Sequence, residues 1–194
     1  MTKQVPLGAD RRDAIADAAI HLVATRGLRG LTHRAVDAEA GLPPGSTSYY
    51  LRTRNALLTA CVNRMLARDV NLMPALEATA APLELVIAMT VGLARDRPDD
   101  LLARYELSLE ASRQPELRVA IDEGARQLRG LLAQVLAGLG VPDPSAAAWP
   151  VAAMLDGLMR DRVAGIAATQ SPEDFEAGVR RSVTALVEGL KAGR

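Results

Sequence analysis

Apolar positions along this chain recur every three to four residues, and no stretch alternates convincingly with a period of two. In the first long segment Ile15, Ala19, Leu22 and Val23 form one stripe, with Ala18 beside it. Arg12, Asp13, Asp17 and Arg26 fall elsewhere, and His21 lies off the stripe, as a solvated residue would. Near the C-terminus Phe175, Val179, Ser182, Val183, Leu186 and Leu190 share one helical face, with Arg180, Arg181, Glu188 and Lys191 mainly away from its centre. The preceding segment carries Met154, Leu155, Leu158, Met159 and Val163, an apolar surface too broad for a single stripe.

Punctuation divides this pattern into nine helices. Pro82, Pro98, Pro115, Pro144 and Pro172 each stand before an Ala/Leu-rich segment, where a missing N–H costs nothing. Acidic residues such as Glu84, Asp99, Asp100, Glu116, Glu173 and Asp174 follow, at the positive end of the helix dipole. Ser171 and Asp174 resemble a capping box, and Gly41 and Gly140 are helix stops. The expected helices span residues 10–25, 32–40, 44–51, 54–72, 82–96, 98–113, 115–138, 144–169 and 172–191. Pro150, inside the eighth, should kink it or mark a second start.

Composition narrows the chemistry. The chain has 194 residues, 49% of them hydrophobic and only 3% aromatic, which favours an all-α fold over an all-β one. A lone cysteine, Cys61, excludes an intrachain disulfide, and its apolar neighbours make it a packing residue. Two histidines, His21 and His33, offer no basis for a metal centre. No cofactor and no metal is expected. No apolar run reaches the roughly 18 residues of a membrane span, and Met1 to Arg12 lack a signal-peptide core, so no membrane partner and a cytoplasmic location are expected. Basic and acidic residues balance at 23 each, but unevenly: residues 1–58 hold eight basic and five acidic. The modest surplus at one end is what a nucleic-acid-binding segment on a neutral body would show.

The first sixty residues carry the sharpest motif. Three helices, the last pair joined by a tight turn, read as a helix-turn-helix. Thr32 can cap the second helix, Ala35, Val36 and Ala38 to Ala40 suit close packing, Gly41 permits a left-handed turn and Leu42 plugs the small core. The third helix, Pro43-Pro44-Gly45-Ser46-Thr47-Ser48-Tyr49-Tyr50, is rich in hydroxyls and uncharged, as a surface presenting hydrogen-bonding groups to DNA would be. Arg52 and Arg54 follow, with Thr53 placed to cap the fourth helix. That helix start and Arg54 together read as a phosphate clamp.

The runs Gly30-Leu31-Thr32-His33-Arg34-Ala35-Val36-Asp37-Ala38-Glu39-Ala40-Gly41-Leu42-Pro43-Pro44-Gly45-Ser46 and Thr53-Arg54-Asn55-Ala56-Leu57-Leu58 resemble the DNA-binding region of TetR/AcrR-type regulators. Departures lie in Pro43, where the family places a Ser or Thr cap, in Ser48, where many members have Tyr, and in Leu51 and Thr53-Arg54-Asn55. The resemblance implies an all-α protein with a helix-turn-helix DNA-binding domain (residues 1–54) and a larger helical ligand-binding and dimerisation domain (residues 55–194). It implies a ligand-responsive regulator, a repressor, that binds double-stranded operator DNA as a homodimer and is released by a small apolar effector of unknown identity.

Residues assigned to DNA contact are Thr32, His33, Arg34, Pro44, Gly45, Ser46, Thr47, Ser48, Tyr49, Tyr50 and Arg54. Tyr49 and Tyr50 point about 100° apart, so one should be buried while the other meets DNA. Met89, Tyr105, Leu109, Trp149, Met154 and Asp156 are candidates for an effector pocket, with plain core packing as the alternative for the methionines, Tyr105 and Trp149. Leu155, Leu158, Phe175, Val179, Val183, Leu186 and Leu190 are expected at the dimer interface, where the two last helices would pair with their symmetry mates. Burial of both faces within one subunit is the alternative. A helical enzyme would need a reactive constellation, and none accompanies Glu106 or Asp156.

Overall fold

Capping chemistry sets the helix boundaries. The structure is a computed structural model that describes residues 8–71 and 81–193. Helix α1 spans Gly8–Gly30, α2 His33–Glu39, α3 Ser46–Tyr50 and α4 Arg54–Val70. Then come α5 (Pro82–Asp96), α6 (Pro98–Ala111), α7 (Pro115–Gly138), α8 (Pro144–Ala164) and α9 (Pro172–Lys191). No strand occurs among the described residues. Thr32 accepts a hydrogen bond from the Ala35 N–H at 3.1 Å, and Thr53 from that of Ala56 at 3.0 Å. Asp143 caps α8 and Ser171 caps α9 in the same way, both at 3.0 Å. Each of α5 to α9 opens on proline.

Two boundaries differ from the sequence expectation by more than two residues. Helix α1 extends to Gly30, with Gly27 at φ 65° and ψ 178° interrupting it near its end. Helix α8 stops at Ala164 rather than running to 169. The Asp161 carboxylate turns back to accept from the Ile166 and Ala167 N–H groups at 3.1 and 3.2 Å, and a short 3₁₀ turn, Ile166–Thr169, follows. Pro150 does not end α8, which continues through it as one helix.

Two hydrophobic cores result. The first unites α1, α2 and α4 around Ile15, Leu22, Leu31, Val36, Leu57 and Leu58, and draws in Leu107 of α6 and Leu117 of α7. The second lies among α5 to α9, around Ile87, Leu101, Leu136, Val151, Val179 and Val183. Helix α4 starts in the first core and ends beside α7, where a Cβ on Gly124 would stand 3.3 Å from the Leu66 side chain. His21 is not merely solvated: its Nδ1 lies 2.7 Å from the Asp99 carboxylate at the start of α6.

Candidate nucleic-acid interface and effector cavity

The turn between α2 and α3 is built on one carboxylate. Gly41 (φ 64°) and Gly45 (φ 89°) take the left-handed backbone that reverses the chain, a conformation costly for any residue with a Cβ. Asp37, buried on α2, reaches across the turn. Its Oδ2 accepts from the Gly45 N–H at 2.7 Å, and its Oδ1 accepts from the Thr47 N–H at 2.7 Å and hydroxyl at 2.6 Å. Helix α3 has no side-chain cap of its own, since Pro43 removes the usual hydroxyl and Gly45 sits at the cap position. Asp37 takes over that task from the neighbouring helix. Burial alone would raise its pKa, but the Thr47 hydroxyl and the two backbone N–H groups outweigh this and hold the carboxyl below its ordinary range. The sequence reading missed Asp37. The signal was there: an acidic residue in a short helix, opposite a third helix lacking its cap.

Placement of the expected DNA residues is mixed. Thr32, Arg34, Pro44, Gly45, Ser48 and Tyr49 are exposed on one end of the molecule, and Ser46 is half-buried with its hydroxyl donating to the Pro43 carbonyl at 2.6 Å. Tyr49 is 78% exposed, while Tyr50 packs on the first core with its ring 5.0 Å from that of Tyr49. Thr47 needs correction: it is 0% exposed and bonded to Asp37, so its side chain cannot reach DNA. His33 is half-buried, its Nε2 2.7 Å from the Leu51 carbonyl, where it ties α2 to the end of α3. Arg54 is also reassigned in part. Its guanidinium donates to the carbonyls of Leu31 and Leu28 at 2.6 and 2.5 Å, closing the C-terminal end of α1, where such orphan carbonyls need donors.

A cavity of about 500 Å³ opens beneath this unit. Val62, Met65, Leu66 and Asp69 of α4 wall one side, Met89, Thr90 and Leu93 of α5 another, and Leu128, Leu132 and Val135 of α7 a third. Along α8, Trp149, Ala152, Ala153, Asp156 and Met159 complete it. Arg104 and Ser108 of α6 and Arg129 of α7 add polar groups to a mainly hydrocarbon lining. Such a volume and lining suit a small organic molecule. Of the six residues assigned to a pocket, Met89, Trp149 and Asp156 line this cavity. Tyr105 and Met154 instead pack beside the second core, the Tyr105 hydroxyl donating to the Asp156 carbonyl at 3.2 Å. Leu109 is 65% exposed on the outer side of α6. All three are absent from the cavity lining because α6 and α8 turn them away from it.

Comparison with known proteins fixes the family. Residues 76–189 match the family described as tetracyclin repressor-like, C-terminal domain. The chain belongs to the TetR family of transcriptional regulators. It is 32% identical over 154 residues to the HTH-type transcriptional regulator BetI of Rhizobium meliloti, covering 76% of this chain and 75% of that protein. A transcriptional regulator from Rhodococcus sp. Rha1 shares the fold over 93% of this chain and 97% of its own, at a TM-score of 0.80 and 21% identity. The multidrug binding protein EbrR, solved in complex with proflavin, is 33% identical with a TM-score of 0.62, covering 91% of this chain and 99% of that one. The protein is thus a DNA-binding regulator of transcription and not an enzyme.

Within this TetR-family fold the last two helices divide differently from the sequence expectation. Phe175, Val179 and Val183, expected between subunits, are buried in the subunit's own second core together with Val187. Their spacing of four residues puts them on the inner face of α9, against α5 and α8. Leu155 lines the cavity instead of an outer surface. Leu158, Leu186 and Leu190 are only partly buried. No described helix is long and apolar enough to cross a membrane.

Proposed function

We propose that this TetR-family protein is a ligand-responsive repressor that binds a (pseudo)palindromic operator as a homodimer and is released by a small, mainly apolar effector in the cytoplasm. Residues 1–54 form the DNA-binding unit and residues 55–194 the effector and dimerisation unit. Thr32, Arg34, Pro44, Ser46, Ser48 and Tyr49 face the duplex, with Ser46, Ser48 and Tyr49 nearest the base edges. The observation that carries the reading is the double engagement of α4. Its first turn is tied to α1 through Arg54, and its last turns wall the cavity. An effector that favours a different seat for α4 therefore favours a different spacing of the two DNA units in a dimer, whose half-sites lie about 34 Å apart or a multiple of that. That EbrR was solved with proflavin and also with ethidium supports a small organic molecule as the effector.

Dimerisation falls to the outer faces of α8 and α9, where Leu158, Leu186 and Leu190 remain partly exposed. The test combines duplex selection with light scattering. Repeated selection from random duplexes should yield a palindromic sequence bound by a dimer, and Leu186→Glu should give monomer with operator affinity reduced at least about tenfold, or roughly 1.4 kcal/mol. Equal binding to every duplex, or an unaltered Leu186→Glu dimer, would overturn the reading.

A further inference from the structure

An uninterrupted chain of ion pairs runs from the cavity to α1. At the cavity Arg104 Nη2 lies 2.5 Å from Asp69 Oδ2. The other oxygen of Asp69 stands 3.1 Å from Arg97 Nη1 but off the line of a hydrogen bond, and is buried without any other partner among the described residues. Arg97 grips Asp100 Oδ2 through both Nε and Nη2, at 2.8 and 2.5 Å. Asp100, itself buried, accepts from Arg68 Nη1 at 2.7 Å, and Arg68 Nη2 reaches Asp17 of α1 at 2.5 Å. Arg64 closes the series between Asp17 and Asp13, at 2.8 and 2.6 Å. Four carboxylates and four guanidiniums thus alternate across α1, α4, α6 and Arg97 just before α6, with one end facing the cavity.

Asp69 is the weak link. Its hold depends mainly on Arg104, because the Arg97 contact is misaligned. A buried carboxylate deprived of one partner must find another, since an unpaired buried charge is strongly disfavoured. Arg97 is the nearest replacement, but it can serve Asp69 fully only by loosening its grip on Asp100. Asp100 then draws on Arg68, the residue that also holds Asp17. Each transfer would move one guanidinium between two carboxylates, which defines a second arrangement of the chain beside the one observed.

Resting on the effector-release reading above, we propose that Arg104 is the effector-sensing residue, that it takes the anionic head group of an otherwise apolar molecule, such as a medium-chain carboxylate, and that the ion-pair chain passes this engagement to α1. The unspent donors in the cavity suit an anion, although its two guanidiniums and two carboxylates balance in charge. Arg104 spends only Nη2 on Asp69, and Arg129, also lining the cavity, makes no ion pair among the described residues. Ser108, one turn beyond Arg104 on the same face of α6, adds a hydroxyl. On the acidic side Asp69 has both oxygens beside arginines, which leaves Asp156 alone to attract a cation.

Trp149, the sole tryptophan, borders the cavity while 66% exposed, and its fluorescence serves as the reporter of occupancy. Decanoate, 1-decanol and decyltrimethylammonium, below their micelle concentrations, serve as probes of one length and three charges. Decanoate should change Trp149 emission and weaken binding to the selected duplex at least tenfold, and Arg104→Gln should abolish both effects. Arg68→Lys and Asp17→Asn should each keep the Trp149 response to decanoate while cutting the loss of duplex affinity to under twofold, because a lysine cannot bridge two carboxylates as the planar guanidinium does. The proposal is overturned if decyltrimethylammonium alone acts, if decanoate acts equally on Arg104→Gln, or if both uncoupling variants release the duplex as fully as the parent. A protein that binds its selected duplex but answers none of the three probes overturns it too, and leaves the DNA-binding half of the functional reading intact.

Discussion

Around Leu58 the side chains meet on every side, whereas around Met89 they stop short and leave room for a guest. The first core contains Ile15, Leu22, Leu31, Leu57 and Leu58 at essentially zero exposure, under a turn locked by the Asp37 carboxylate. The second core has a comparable buried centre, but a larger share of its apolar side chains, Met89, Leu93, Leu132 and Leu155 among them, is only partly buried and faces the cavity. The same kinds of residue therefore serve two purposes. A DNA-reading unit must hold α3 in one orientation, so its interior is filled and the polar groups of its turn, from Asp37 to Thr47, are paired. A sensing unit must admit a ligand, so its interior is left incomplete.

The sharpest way to break the first unit is to remove its polar lock. Asp37→Ala would leave the Thr47 and Gly45 N–H groups and the Thr47 hydroxyl without their acceptor, at a cost of about 4 kcal/mol near neutral pH. Specific DNA binding should be lost with it. The pH dependence has a definite sign. The folded carboxyl titrates below the unfolded one, so its contribution is complete above the ordinary carboxyl pKa of about 3.9 and is lost as pH falls through the folded value. Urea unfolding should accordingly show a large deficit for Asp37→Ala at pH 7 and a smaller one at pH 3. An equal deficit at both would remove the carboxylate from the account.

A matched pair of truncations measures the difference in filling. Leu58→Ala empties a site with no slack and should cost about 3 kcal/mol. Leu132→Ala trims a residue that already borders empty space, and about 1 kcal/mol is expected. Equal losses by thermal or urea melts would mean that the cavity wall is as tightly held as the first core.

The sequence disclosed the helices well because their ends carry local chemistry: a proline, an acidic first turn, a Thr or Ser cap. The limits of α5, α7 and α9 match the expectation residue for residue. Exposure was harder to read. Thr47 and Ser48 are neighbours of similar chemistry, yet one is sealed against Asp37 and the other faces solvent, because only the tertiary turn decides which hydroxyl meets the carboxylate. On α9 the stripe of Phe175, Val179 and Val183 was visible as apolar, but periodicity does not say whether such a face meets its own subunit or another. Of the residues assigned to a pocket from sequence only Met89, Trp149 and Asp156 line the cavity; most of its remaining walls are Leu, Val and Ala residues that would equally fill a core, and the polar ones, Asp69, Arg104, Ser108 and Arg129, carry no local sign that separates them from surface positions.

Arg54 sits between the two regions and separates them by a smaller effect. Its guanidinium closes the end of α1, so Arg54→Ala should cost about 1 kcal/mol of stability by exposing the Leu28 and Leu31 carbonyls. Binding to specific and random duplexes should weaken alike, and the salt dependence should flatten if the arginine also neutralises a phosphate. A stability loss with an unchanged salt slope would assign Arg54 wholly to bracing α1.

The smallest effect on stability belongs to Tyr49, and it isolates recognition from folding. The side chain is 78% exposed and touches the structure mainly through the edge of Tyr50, so Tyr49→Ala should shift stability by no more than about 0.5 kcal/mol. On the duplex the same change should matter more. A lost base contact is worth about 1–3 kcal/mol and should appear at particular positions of the site rather than uniformly. A panel of single-base operator variants read by fluorescence anisotropy distinguishes the cases: selective loss places Tyr49 at a base edge, and uniform loss places it on the backbone. No loss at all would show that the exposed ring serves neither role, and would leave Ser46 and Ser48 as the readers on α3.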